Sequence, residues 1–226
     1  MYFILLASGE SARFESLIPK QIFYLGNKLV IQHVIDSILP LNPIKIIIIT
    51  NLKCIETIKN LINDTYSNVI NMFEVVVNEK INSHRLDSLE IGLKSLEYIS
   101  ELRPDSKIII HDVARPYLST CDYQKLIDEM GYNMVYVQYC LKINGGLINS
   151  KTFEFVDRDD YLETTTPLII TYNVFKEIYD QYLSRDHNGI RHNYEFIPFL
   201  KEKNYKFTLI HGNYKILRKI TTKDDL

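Results

Sequence analysis

Two stretches of this chain carry side chains able to hold a polyanion. The first runs Ala7-Ser8-Gly9-Glu10-Ser11-Ala12-Arg13 and is followed by a second cation in Pro19-Lys20-Gln21. Small residues at Ala7, Ser8 and Gly9 let a backbone approach a ligand closely, and Gly9 admits a positive φ. Backbone N–H groups of such a loop cradle phosphate oxygens. Arg13 would grip phosphate as a fork and Lys20 as a point charge. The chemistry expected is triphosphate binding, although a plain strand-to-helix turn with two solvated cations accounts for the same residues equally well. The second stretch is His111-Asp112-Val113-Ala114-Arg115-Pro116. Here Asp112 suits Mg²⁺ or a ribose hydroxyl and Arg115 a substrate phosphate; the plainer expectation is a local Asp–Arg ion pair closing a turn. His111 is expected to be packed, not catalytic. Between the two lies Asn82-Ser83-His84-Arg85-Leu86-Asp87-Ser88, suited to base or ribose recognition at a helix start, or simply to capping by Ser83 or Asp87. Arg218-Lys219 and the Thr221-Thr222-Lys223-Asp224-Asp225 run that follows put cations ahead of a helix start, ordinarily a solvated face.

These residues need a frame, and the hydrophobic pattern predicts one. Tyr2–Ala7 and the β-branched run Ile44–Ile49 predict strands buried on both faces, and Met72–Val77, Ser106–Ile110, Met134–Gln138 and Lys206–Ile210 predict further strands. Helices are expected over Lys28–Leu39, Lys53–Ile62, Leu86–Ile99, Ser119 or Thr120 to Met130, Thr171–Leu183 and Tyr194–Lys203. Alternating strands and helices mean βαβ units, a mostly parallel sheet and helices on both faces. In such a sheet the strands Tyr2–Ala7 and Ser106–Ile110 deliver their C-terminal ends to one crevice, which is where ligands bind. The alternation fails over Tyr139–Glu163. Lys142–Ile148 there suggests a hairpin turning at Gly145-Gly146, either an arm reaching a second subunit or a surface excursion. No internal repeat or linker appears, so one domain over 1–226 is expected.

Composition removes several classes of function. With 226 residues the chain can bury a sizeable core. Its net charge of −2 supplies no global field for nucleic acid or an anionic membrane, so any phosphate must be held by local cations. Cys54, Cys121 and Cys140 are scattered and odd in number, which argues against a disulfide framework or a zinc site and for a reduced cytoplasm. No apolar run reaches the roughly 20 residues of a membrane span, and the N-terminus opens directly into a strand without a leader pattern.

Taken in order, the small-residue loop with Arg13, Pro19-Lys20-Gln21, Arg85 with Ser88, His111 to Pro116, Val156-Asp157-Arg158, Thr166-Pro167 and Lys219-Ile220-Thr221-Thr222 resemble one family along essentially the whole chain. The chain is similar to the 2-C-methyl-D-erythritol 4-phosphate cytidylyltransferases and the related ribitol-5-phosphate cytidylyltransferases. The resemblance implies an α/β, Rossmann-like nucleotidyltransferase fold with a short projecting hairpin arm over 139–163. It also implies a reaction in which CTP and a polyol phosphate give a CDP-polyol and pyrophosphate, with Mg²⁺ on the triphosphate. It implies that Ala7, Ser8 and Gly9 approach the nucleotide, that Arg13 and Lys20 neutralise the triphosphate, that Ser88 contacts cytosine, and that Thr166 and Lys219 line the reacting phosphates. Asp112 would lie by the ribose and acceptor, Arg115 near the acceptor, and Arg158 would reach the acceptor phosphate of a second subunit in a homodimer.

The sequence also departs from the family. Ser11 stands where a second glycine is usual, Cys140-Leu141-Lys142 replaces an Asp-Thr pair, Thr166-Pro167-Leu168 replaces Thr-Pro-Gln, and a late Thr-Asp pair is replaced around Asn193-Tyr194-Glu195. The nucleotide half is thus better kept than the acceptor half. Two other readings stay open at this point: a nucleotidyltransferase acting on another sugar or phosphonate acceptor for surface glycans, and a non-catalytic nucleotide-binding homologue. A dinucleotide-dependent oxidoreductase would need Gly-x-Gly-x-x-Gly, which is absent.

Overall fold

The computed structural model of the chain describes residues 1–80, 85–131, 133–184 and 196–226. Strands β1 (Tyr2–Ala7), β2 (Tyr24–Leu25) and β3 (Lys28–Leu29) lead into helix α1 (Val30–Ile38). Next come β4 (Lys45–Thr50), α2 (Ile55–Thr65), β5 (Phe73–Val77), α3 (Arg85–Glu97), β6 (Lys107–Asp112) and α4 (Thr120–Glu129). The C-terminal part holds β7 (Tyr136–Lys142), β8 (Leu147–Ile148), β9 (Phe155–Val156), β10 (Leu162–Thr171), α5 (Tyr172–Ser184), α6 (Phe196–Glu202), β11 (Phe207–His211) and α7 (Tyr214–Leu217). Seven strands form one sheet in the order β11-β7-β10-β6-β1-β4-β5. Within it β10 alone runs against its neighbours β6 and β7, while the remaining pairs are parallel.

Side-chain alternation along the central strands divides the core into two layers. Phe3, Leu5, Ile46, Ile48 and Ile109 pack with Val34 and Ile38 of α1, Ile58 and Ile62 of α2, and Tyr123 and Leu126 of α4. Tyr2, Ile4, Ile47, Ile49, Ile108 and Ile110 pack with Leu89, Leu93 and Leu96 of α3, Phe175 and Ile178 of α5, and Phe199 of α6. Both faces of the sheet are therefore dry, which is why β4 reads as an unbroken isoleucine run instead of alternating with polar residues. The expected α/β, mostly parallel, doubly wound sheet is what the chain forms.

The structure corrects several local expectations. Gly9 does not take a positive φ; in that loop Ser11 (φ 59°) and Glu15 (φ 49°) do. Strand β10 is absent from the sequence-based pattern, because Thr-rich residues and Pro167 interrupt its apolar signal. The register shift between Thr164 and Leu168 is how the strand accommodates that proline. The excursion is also narrower than Tyr139–Glu163: Leu141 pairs with Glu163 and Lys142 with Leu162, so those residues finish β7 and begin β10. Gly145-Gly146 is not the hairpin turn. Leu147–Ile148 pairs with Phe155–Val156, and Asn149 makes the turn by accepting from the Lys151 and Thr152 amides at 2.9 and 3.2 Å. Asn82, Ser83, His84 and Asn193 to Glu195 lie outside the described residues. The N-cap of α4 is Ser119, joined to Asp122 in a capping box. Helix α3 crosses β1 at Gly92, where a Cβ would stand 2.8 Å from Ile4 Cγ2 and 2.9 Å from Ile4 Cδ1. Alanine favours a helix by about 1 kcal/mol over glycine, but overpacking costs about 1–3 kcal/mol. Gly92→Ala is therefore expected to lower the denaturant midpoint of unfolding; a raised midpoint would show that Ile4 yields without cost.

Candidate active site

Strands β1 and β6 lie side by side, with Leu6 opposite Asp112. Their C-terminal ends open into a cleft of about 160 Å³ lined by Leu6, Ser8, Gly9, Lys20, Gln21, Arg85, Ser88, Asp112, Ala114 and Lys219. Residues more than two hundred positions apart meet because four chain segments converge there: the end of β1 with the loop after it, the first turn of α3, the end of β6 with the loop after it, and the tail that follows α7.

The base of the cleft is a small polar network. The hydroxyls of Ser8 and Ser88 are 2.7 Å apart, and the buried Asn78 amide donates to Ser88 Oγ at 3.0 Å. Asn51 Nδ2 donates to the Ser8 carbonyl at 3.1 Å, and Gln21 Nε2 to the Gly9 carbonyl at 2.6 Å. Ala7 is buried as the last residue of β1. Asn51, Asn78 and Gln21 escaped sequence reasoning as site residues. The signal was their position: Asn51 follows the buried strand β4, Asn78 follows the half-buried strand β5, and Gln21 adjoins Lys20.

Charge dominates the rim. Lys219 Nζ donates to Asp112 Oδ2 at 3.0 Å, and Arg85 Nη2 stands 3.6 Å from Asp112 Oδ1. Burial by itself would raise the Asp112 carboxyl, but Arg85, Lys219 and Arg115 hold it well below the usual carboxylate range. Asp112 thus stays ionised, and its backbone amide is fixed by Thr166 Oγ1 at 3.2 Å. Lys20 is shifted in the opposite sense for a cation. Burial, Lys219 and Arg13 lower it to about 8, against the opposing pull of Asp112 and Asp225. Arg13 is exposed on the short 3₁₀ turn Ala12–Phe14, at the edge of this cationic group.

Lys219 reaches Asp112 because the tail is tied to the loop after β6. Ile220 N donates to the Ala114 carbonyl at 2.8 Å, and the buried Arg115 donates through Nη1 to the Leu217 carbonyl. Arg115 therefore braces the tail and does not line the cleft. The expected local Asp112–Arg115 ion pair is replaced by a backbone bond, Arg115 N to Asp112 O at 3.0 Å. His111 is fully buried, its Nε2 lies 3.1 Å from the Arg115 carbonyl, and burial lowers it to about 4, so it is a neutral packing residue as expected. Arg158 is also outside the cleft: it lies on the excursion and donates to the Asn144 carbonyl at 2.7 Å.

Among the described residues no three metal-ligating side chains cluster. One ionised carboxylate beside a polyanion site is the donor set of a hard cation that arrives on substrate phosphates, as Mg²⁺ usually does, so Asp112 and the cleft fit such an ion. All three cysteines are free, and none of the described helices is long and apolar enough to cross a membrane.

The chain has counterparts among known proteins. A 2-C-methyl-D-erythritol 4-phosphate cytidylyltransferase from Caldicellulosiruptor bescii is 29% identical over 230 residues, covering 99% of this chain and 92% of that protein. The chloroplastic enzyme of the same name from Oryza sativa is 24% identical and covers 99% of this chain and 71% of that protein. The fold matches the crystal structure of 4-diphosphocytidyl-2C-methyl-D-erythritol synthase from Anaerococcus prevotii with a TM-score of 0.76 at 21% identity, over 99% of this chain and 93% of the other. A family model described as "IspD: 2-C-methyl-D-erythritol 4-phosphate cytidylyltransferase" matches residues 1–226. The chain therefore belongs to the IspD family of cytidylyltransferases.

Proposed function

We propose that this chain transfers CMP from CTP to a polyol phosphate of the 2-C-methyl-D-erythritol 4-phosphate type and releases pyrophosphate. The observation that carries this reading is the convergence of Lys20, Lys219 and Arg85 on one ionised carboxylate, Asp112, at the ends of β1 and β6. An oxygen of the acceptor phosphate forms a bond to the α-phosphorus of CTP as the bond to pyrophosphate breaks. A phosphate monoester dianion is already a nucleophile at neutral pH, so the site needs alignment and charge neutralisation more than a base. The side chains agree: Asp112 is held ionised by cations and His111 is buried and neutral, so neither is poised to shuttle a proton. Lys20, Arg13 and Lys219 would neutralise the triphosphate, with Ser8, Gly9 and Ser88 against the nucleoside, and Thr166 holding Asp112 in place. Mg²⁺ bound to the triphosphate would supply further charge neutralisation for the leaving pyrophosphate, and Asp112 is the residue that would hold it.

The acceptor side of the reading includes a second copy of the chain. Phe153, Phe155, Ile148 and Tyr161 are all exposed on the excursion that carries Arg158, an apolar surface consistent with a homodimer. Arg115, taken up by the tail, is then less suited to the acceptor phosphate than Arg158 of the neighbouring copy.

Pyrophosphate release from CTP is expected with 2-C-methyl-D-erythritol 4-phosphate in excess of ribitol 5-phosphate; turnover only with another phosphorylated sugar or a phosphonate would move the acceptor assignment, and none with any would sink the reading. Lys20→Ala should lower the chemical rate by about 100-fold or more, the usual effect of removing one transition-state charge donor, with an unchanged circular dichroism spectrum. Because a bound triphosphate favours the ammonium form of Lys20, nucleotide binding should take up protons near pH 8.5 and not near pH 7, and affinity should fall above pH 8. Calorimetry in buffers of different ionisation enthalpy reads this uptake, which Lys20→Arg should abolish. Mixing Arg158→Ala and Lys20→Ala subunits should restore part of the lost activity; no recovery between dimers shown to exchange would remove Arg158 from the neighbour's site.

A further inference from the structure

Lys20 is held in a position its charge disfavours. Burial withdraws its side chain from water, Lys219 and Arg13 repel it, and Asp112 and Asp225 attract it. The turn that carries it, Pro19–Phe23, closes on itself through Ile22 N to Pro19 O (3.1 Å) and Phe23 N to Lys20 O (3.2 Å). Those bonds shape the turn but do not bind it to the loop after β1. Three others do. Lys20 N donates to Ser11 Oγ at 3.1 Å, Ser11 Oγ donates to Gln21 Oε1 at 3.0 Å, and Gln21 Nε2 donates to the Gly9 carbonyl at 2.6 Å. Gln21 is buried while doing so.

Ser11 makes its two side-chain bonds from a backbone conformation that a non-glycine residue rarely occupies, φ 59° and ψ 26°. The left-handed region is disfavoured for an L-residue because its Cβ crowds the following carbonyl oxygen. A glycine would hold the same conformation without that crowding but has no hydroxyl to offer. Strain at a residue whose side chain is fully used is what a functional constraint leaves behind.

We propose that Ser11, with Gln21, is a positioning residue for Lys20: a side-chain latch that fastens the Lys20 turn to the nucleotide-facing loop and keeps the ammonium among Arg13, Lys219 and Asp112. The proposal rests on the reading of Lys20 as a triphosphate ligand. Without the latch, like-charge repulsion drives Lys20 outward, the cleft loses one preset charge, and each catalytic cycle must restore it.

Ser11→Gly is the clean test, since glycine adopts the observed backbone freely and only the hydroxyl is lost. The expected result is a kcat lower by about 10- to 100-fold, the scale of a small misplacement at a reacting site, with a smaller change in KM for CTP. Gln21→Ala should behave alike, and the double variant should be no worse than the poorer single, because the two act as one unit. A readout independent of turnover is competitive acetylation of Lys20 by acetic anhydride across pH, followed by peptide mass spectrometry. Its midpoint should move up from about 8 toward the ordinary lysine range in Ser11→Gly. An unchanged midpoint overturns the latch whether or not kcat falls. If the wild-type protein releases no pyrophosphate from CTP, the proposed function fails, while the acetylation profile still decides whether Ser11 positions Lys20.

Discussion

Like charges gathered in one place are the constraint around which this molecule is arranged. Arg13, Lys20 and Lys219 crowd a rim where two carboxylates, Asp112 and Asp225, offset them, and burial together with that crowding depresses Lys20. Such a group is unfavourable in the free protein and becomes favourable when a polyanion enters. A site preorganised in this way needs little rearrangement at the moment of reaction. The surrounding structure reads as the means of holding it. The parallel pairing of β1 and β6 sets Asp112 beside the loop after β1, Thr166 fixes the Asp112 amide, and Arg115 and Ala114 hold the tail that carries Lys219.

The tail itself is built for that duty. Thr222 and Asp225 form a capping box, Asp225 Oδ2 accepts from the Thr221 and Thr222 amides at 2.7 and 2.8 Å, and Tyr117 Oη donates to the Asp225 carbonyl at 3.0 Å. The Arg218 guanidinium lies 4.2 Å from the Tyr117 ring centroid. What looks in sequence like a solvated charge run is a strap that delivers one lysine to a carboxylate over a hundred positions earlier.

Legibility from sequence followed the physics of each segment. Apolar runs such as Ile46 to Ile49 have no stable alternative to a strand covered on both faces, so the parallel half of the sheet was readable, and helical spacing at Val30, Val34 and Ile38 placed α1. The loop carrying Lys20 and the acid at Asp112 could be placed at one cleft because both follow central strands whose C-terminal ends open on the same crevice. Strand β10 was not, since its threonines and Pro167 carry no apolar periodicity and its partners β6 and β7 are distant in sequence. Arg115 shows the same limit: its residue type is legible, but the bond of its guanidinium to the Leu217 carbonyl, a hundred positions on, is not. The same holds for Gly9 and Ser11, where residue type suggests the opposite backbone conformations from those adopted.

The excursion between β7 and β10 hangs from the ends of two antiparallel neighbours, closed by the pairing of Lys142 with Leu162. Residues added to or removed from such a hairpin shift neither strand's register, since both strands are anchored behind it by Val137 opposite Ile169 and Tyr136 opposite Ile170. Its length and chemistry are thus free to drift while Thr166, on the same strand, stays locked to Asp112. In evolutionary terms the fold separates a part whose spacing is fixed by the sheet from a part whose length can change without disturbing that spacing.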